Sequence, residues 1–207
     1  MPIARNWPQA YSSTPMRLKV LLIDEDPDRA VAVRDALADA GHEVVSSHAS
    51  PVDLYDRVKV HAPDLIIIDT ESPSRDVLEH ITFISRDQPR PIVMFSADRE
   101  RDTIKSAVRA GVTAYIVDGL SEARIQPILQ VAVERFDAEQ SLRQALADAK
   151  SELSERKVVE RAKGILMKQR QMDEEEAFRA LRKFAMDQGL RLAEAAERVV
   201  QMSSLMG

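Results

Sequence analysis

The sequence predicts an α/β domain with a doubly wound, five-stranded parallel sheet, then a long helix and a small all-α bundle of three helices. Three observations carry this. Short continuous apolar runs alternate with amphipathic segments as far as Val117, the pattern of strands buried on both faces with helices between them. That alternation ends after Leu120, and a long stretch without glycine follows. The charge also changes sign along the chain: 155–207 hold 11 Lys and Arg against 9 Asp and Glu, whereas 1–154 hold 18 against 25.

Taken in order, residues 1–16 contain three prolines and Trp7 but no continuous apolar h-region, which predicts a loose tail rather than a secretory signal. Val20-Leu21-Leu22-Ile23 is the first strand, ending in Asp24-Glu25-Asp26-Pro27. Pro27 and the acids suit a helix start, and Gly41 stops that helix. Val44-Val45 is a short second strand, and 53–61 a second helix. Leu65-Ile66-Ile67-Ile68 is the third strand, ending in Asp69. A helix over 77–85 leads to the strand Pro91 to Phe95, which ends in Ser96. A helix over 103–110 closes at Gly111, and Ala114 to Val117 is the fifth strand.

In such sheets the working residues gather beyond the carboxyl ends of the strands. Those ends carry Asp24, Glu25, Asp69, Ser96 and Asp118. Carboxylates from several strands at one edge suit a hard cation, and Mg²⁺ needs only one or two of them plus waters.

Beyond Ser121, Ile125, Leu129, Ala132 and Phe136 step by four, three and four, and so do Leu142, Leu146, Ala149 and Leu153. This is the spacing of a coiled-coil seam with a phase slip between its halves. The first half is expected to pack on the α/β domain and the second to pair with another copy of the chain. The stretch Arg156 to Arg170 carries six basic residues against Glu160 alone, with apolar residues at helical steps. A cationic helix on an anionic chain points to a polyanion. Gly164 within it costs roughly 1 kcal/mol against alanine, so something is expected to approach there, a neighbouring helix rather than a nucleotide. Asp173 and Glu176 start a further helix, and Leu192, Ala195, Ala196, Val199 and Val200 mark a third; Phe178 and Phe184 fall on apolar stripes and are expected in the core.

The motifs LLIDEDP, DLIIIDTESP, VMFSA and AGVTAYIV, in this order, resemble the receiver domain of two-component response regulators over about 17–125. The resemblance implies a flavodoxin-like fold, Asp69 as phosphoacceptor and Asp24, Glu25 and Asp69 around Mg²⁺. It also implies Ser96 as the hydroxyl that follows the phosphoryl group and Tyr115 as the aromatic that moves on activation. Where receivers carry a lysine, this chain has Asp118 followed by Gly119. Two unit charges ~6 Å apart at an effective dielectric of ~20 repel by about 3 kcal/mol, which opposes a phosphoryl group beside that aspartate. The alternative use of the domain is as a docking surface whose state a partner protein sets.

The segments ERAKGILMKQR, EEEAFRALRKFAMDQG and LRLAEAAERVV resemble an ANTAR domain, the RNA-binding module of antitermination regulators. Together with a linker over 126–154, this implies the domain order of the nitrate-regulatory antiterminators, which the VDGL after the fifth strand also resembles. The resemblance implies a homodimer on paired hairpins of leader mRNA and a nitrate-sensing inhibitory partner protein. Arg161, Lys163, Lys168, Arg170, Arg182 and Lys183 are then the candidates for phosphate contacts, Gln169 for base reading, and Gly164 for close approach. The other reading is a DNA-binding activator with the basic helix in a major groove, although that helix comes first in its bundle, not second. An enzyme is not expected: there is no glycine-rich phosphate loop and no nucleophile–base pair. With no cysteine, scattered histidines and no bilayer-length apolar run, the expected compartment is the cytoplasm.

Overall fold

The computed structural model describes residues 17–48, 54–117 and 122–205. The expectations for the 1–16 tail, Trp7, Asp53 and Asp118-Gly119 lie outside these residues. The chain divides into two compact units, Met1–Ala138 and Glu139–Gly207.

The first unit is the doubly wound domain. Its strands are β1 (Lys19–Asp24), β2 (Glu43–His48), β3 (Leu65–Thr70), β4 (Ile92–Ser96) and β5 (Ala114–Val117). They form one parallel sheet in the order β2-β1-β3-β4-β5. The helices between them are α1 (Pro27–Asp39), α2 (Leu54–His61), α3 (Arg75–Asp87) and α4 (Arg101–Ala110). Successive strand residues point to opposite faces, so each buried strand feeds two cores. Leu21, Ile23, Ile66, Ile68 and Met94 meet Leu54 and Val58 of α2, Val77, Ile81 and Ile84 of α3, and Ala107 of α4. Val20, Leu22, Leu65, Ile67, Val93 and Phe95 meet Val33 and Leu37 of α1. The same second core takes Ile125, Leu129, Ala132 and Val133 from α5, a single helix over Glu122–Arg170.

The start of α5 is fastened to the domain by polar contacts as well. His42 is a loop residue, but a buried one, and its Nδ1 accepts from the Leu18 N–H at 3.3 Å. Nε2 therefore carries the proton and donates to Gln126 Oε1 at 3.3 Å, while Gln126 Nε2 donates to the Ala40 carbonyl. The edge strand β2 is longer than the two apolar residues suggest, because Ser46, Ser47 and His48 continue its pairing with β1 past a register shift.

The sequence treats the basic stretch as a helix after a separate linker, but α5 runs through both without a break. Along it, Phe136 is half-buried, whereas Leu142, Leu146 and Leu153 are 71%, 54% and 54% exposed. In the second unit α5 is joined by α6 (Glu174–Asp187) and α7 (Leu192–Leu205). Their shared core is small and rich in alanine: Ala162, Leu181, Ala185, Ala195 and Ala196, flanked by Val158, Val159, Leu166, Phe184 and Val199. Asp173 and Glu176 form a reciprocal capping box at the start of α6. Phe184 joins this core, but Phe178 is 40% exposed, contrary to the expectation from its stripe.

The turn that ends α4 is the tightest test of the sheet's framing. Gly111 has φ +115°, and a Cβ there would lie 2.0 Å from Ser85 Oγ on α3. Gly111→Ala should therefore destabilise the domain by about 2–4 kcal/mol, read as a lower urea midpoint with an unchanged slope.

Candidate functional site

The parallel register sets the first site. Asp24 stands opposite Asp69 and Thr70 opposite Ser96, so the ends of β1, β3 and β4 bring these groups to one edge. The Asp24 side chain is fully buried and that of Asp69 is 7% exposed. Between them lies Arg29, from the first turn of α1, which sequence reasoning missed. Its Nη2 is 2.8 Å from Asp24 Oδ1 and 3.1 Å from Asp69 Oδ1, and its Nε donates to Asp24 at 3.1 Å. A signal for it existed: arginine in a first turn opposes the positive end of the helix dipole, so it needs nearby anions. Asp26 caps α1 by accepting from the Asp28 and Arg29 N–H groups, which fixes the backbone from which the guanidinium reaches back.

The remaining groups are tied to the loops. Glu25 is exposed and accepts from Thr70 Oγ1 at 2.9 Å. Ser96 Oγ donates to the Glu71 carbonyl at 2.9 Å and accepts from the Asp98 N–H. Tyr115 packs against the core with its hydroxyl donating to the Asp98 carbonyl at 2.9 Å. A cleft lined by Arg29, Asp69, Thr70, Glu71, Ser96, Ala97 and Arg99 opens above Asp69. Asp69 Oδ2 is buried without a hydrogen-bond partner.

As arranged, these residues do not fit a divalent cation. The guanidinium takes both oxygens of Asp24 and one of Asp69, and a Glu25 oxygen is turned to Thr70. Among the described residues, no three acidic, histidine or cysteine groups are placed to hold a metal together.

The second site is on the basic part of α5. Lys157, Arg161, Gly164 and Lys168 are exposed and lie on one face at steps of four, three and four. A Cβ on Gly164 would meet nothing within 4 Å, so the expected neighbouring helix is not what keeps this glycine. Arg170, Arg182 and Lys183 are also exposed. Lys163 is different: it is 8% exposed, and its Nζ lies 2.8 Å from both Glu160 and Glu174. Those hydrogen bonds raise the Lys163 pKa and lower that of Glu174. Lys163 thus fastens α5 to the start of α6, a partner eleven positions away that no helical spacing reveals. Gln169 Nε2 donates to Ser203 Oγ of α7 at 3.2 Å.

The fold and the two sites define a receiver-type domain joined to a helical output module. Comparison with known proteins agrees. The response regulator receiver domain family matches residues 20–130 and the ANTAR domain family matches 147–200. The transcriptional regulatory protein PdtaR of Mycobacterium tuberculosis is 31% identical over 88% of this chain and 89% of its own length. The chemotaxis protein CheY of Bacillus subtilis is 26% identical over 53% of this chain and 92% of its own. The signal receiver domain of a modulated diguanylate cyclase from Desulfovibrio desulfuricans superposes with a TM-score of 0.53 at 16% identity, over 60% of this chain and 99% of that one, a likeness of fold. The chain belongs to the response regulators in which a receiver domain is followed by an ANTAR domain. Among its described residues no helix is long and apolar enough to cross a membrane.

Burial lifts the Asp69 carboxyl to about 6; Arg29 opposes the rise, and Asp24 and Glu25 add to it. The folded chain therefore holds this proton more tightly than the unfolded one. Ionised Asp69 costs stability above pH ~6, and the cost disappears as the pH falls toward the unfolded value near 4. Asp69→Asn should raise stability by about 1–2 kcal/mol at neutral pH, with the gain shrinking in thermal melts between pH ~6 and ~4.

Proposed function

We propose that this chain is a transcription antiterminator that binds paired hairpins in a leader mRNA as a homodimer. In this reading the tail covers 1–16, the receiver 17–125, the coiled-coil linker 126–154 and the RNA-binding domain 155–207. The observation that carries the proposal is the exposed basic stripe Lys157, Arg161, Gly164 and Lys168 within the ANTAR match. Cations spaced along one helix face match the phosphates of a folded RNA strand, and the open notch at Gly164 lets a ribose or base approach the backbone. Arg170, Arg182 and Lys183 add phosphate contacts, and Gln169 is the candidate base reader. Lys163 acts indirectly, by holding α6 against α5.

The exposed leucines Leu142, Leu146 and Leu153 support pairing with a second copy through α5. Two copies place two stripes on one transcript, which suits paired hairpins. The receiver supplies the control. Asp69 is its phosphoacceptor, Ser96 and Tyr115 transmit the change, and Asp118 weakens that route. Control therefore rests on docking to a nitrate-sensing partner protein that withholds the regulator from RNA in the cytoplasm until nitrate or nitrite arrives. The Val117-Asp118-Gly119-Leu120 sequence supports the nitrate/nitrite assignment.

Gel shifts of the full chain on a two-hairpin RNA test the reading. Arg161→Gln and Lys168→Gln should each weaken binding about tenfold and lower the slope of log affinity against log salt by about 0.7 per charge removed. Gly164→Ala should stabilise the helix by roughly 1 kcal/mol yet weaken RNA binding, a split that a purely structural glycine does not give. Unchanged affinity in all three variants, or tighter binding to duplex DNA than to the hairpins, overturns the proposal.

A further inference from the structure

We propose that Arg29 is the resident cation of the receiver pocket, standing between Asp24 and Asp69 where a divalent ion would otherwise bridge them. The inference does not depend on what the C-terminal domain binds.

Two carboxylates brought side by side in a low-dielectric sheet edge need a positive partner. Strand register puts Asp24 beside Asp69, and both side chains are out of water. The guanidinium answers this with three hydrogen bonds to Asp24, from Nε to both oxygens and from Nη2 to Oδ1. The same Nη2 is 3.1 Å from Asp69 Oδ1. A planar fork shared between carboxylates is what arginine provides and lysine does not. The backbone beneath it is set as well, because the Arg29 N–H donates to the capping carboxylate of Asp26. Asp24 Oδ1 also accepts from the Asp26 N–H at 2.9 Å, so the cap and the fork share one aspartate.

A divalent ion ligated by Asp24 and Asp69 together would have to occupy the space of this guanidinium and carry its charge beside it. Ion and arginine therefore compete for the same oxygens. In this structure the arginine holds Asp24 and the Oδ1 oxygen of Asp69, and Asp69 Oδ2 is buried without a hydrogen-bond partner. Arg29 is a positioning residue: it fixes Asp69 through Oδ1 and gives both carboxylates a positive partner without a metal.

The test is direct binding of Mn²⁺ to the full chain, followed by the loss of the free-ion electron paramagnetic resonance signal. Arg29→Gln should bind Mn²⁺ at least tenfold more tightly than wild type, and Arg29→Lys should fall between them. Arg34→Gln, on the same helix but exposed and paired with Asp35, should match wild type. Equal affinity in wild type and Arg29→Gln overturns the proposal. Should Arg29→Gln lose its cooperative melt, the wild-type chain still decides the matter. Titration with Mg²⁺, followed on the Arg29 Nε–H resonance, should move that signal out of its hydrogen-bonded position as the ion enters. A metal-saturated chain that keeps the Arg29 Nε–H in place overturns it equally.

Discussion

The apolar positions of a helix of 49 residues have to be buried, and their partner changes along the way. At the start of α5, Ile125, Leu129 and Val133 complete the core on one face of the sheet. Near its end, Val158, Ala162 and Leu166 complete the core of the small bundle. Between these cores Leu142, Leu146 and Leu153 are more than half exposed. Covering each would contribute about 1–2 kcal/mol. Neither unit is independent of this helix. The sheet lacks a covering element without its first turns, and α6 and α7 present alanines that need Ala162 and its neighbours to pack on.

The receiver pocket follows from the same economy of parallel strands. Side-by-side strands end in register, so polar groups placed last on each strand meet whether or not their charges suit. Here that juxtaposes Asp24 and Asp69, and α1 returns a guanidinium to hold them. The bundle solves a matching problem at Lys163, where two carboxylates fix one ammonium. In both places the charge that looks available in the sequence is already engaged. Among the described residues, the cations on the exposed stripe of α5 remain open to solvent, whereas Asp69 Oδ2 is buried without a hydrogen-bond partner.

How far the sequence is legible differs by element. The runs of β1, β3 and β4 are apolar throughout because both faces are covered, and their limits are visible to within a residue or two. The edge strand β2 is not, because Ser46, Ser47 and His48 are held by backbone pairing rather than by side-chain pattern. The acidic pocket residues are legible from their place at strand ends. Of Arg29 only its odd place in the first turn of α1 is legible; its reach back to Asp24 and Asp69 is not. Lys163 counts as one more cation in a basic run until Glu174 is folded beside it. Phe178 has helical spacing appropriate to a core that proves too small to take it. Gly164 is legible as an anomaly, but only the open space around it tells packing from approach.

The functional account therefore rests on two copies of the chain presenting two basic stripes to one folded transcript. The most direct measurement is the mass of the complex formed by the full chain with a two-hairpin leader RNA, by sedimentation or native mass spectrometry. The account predicts two chains on one RNA, and loss of that species when either hairpin is deleted. A single chain bound to the intact RNA, with the same affinity for one hairpin as for two, would contradict it.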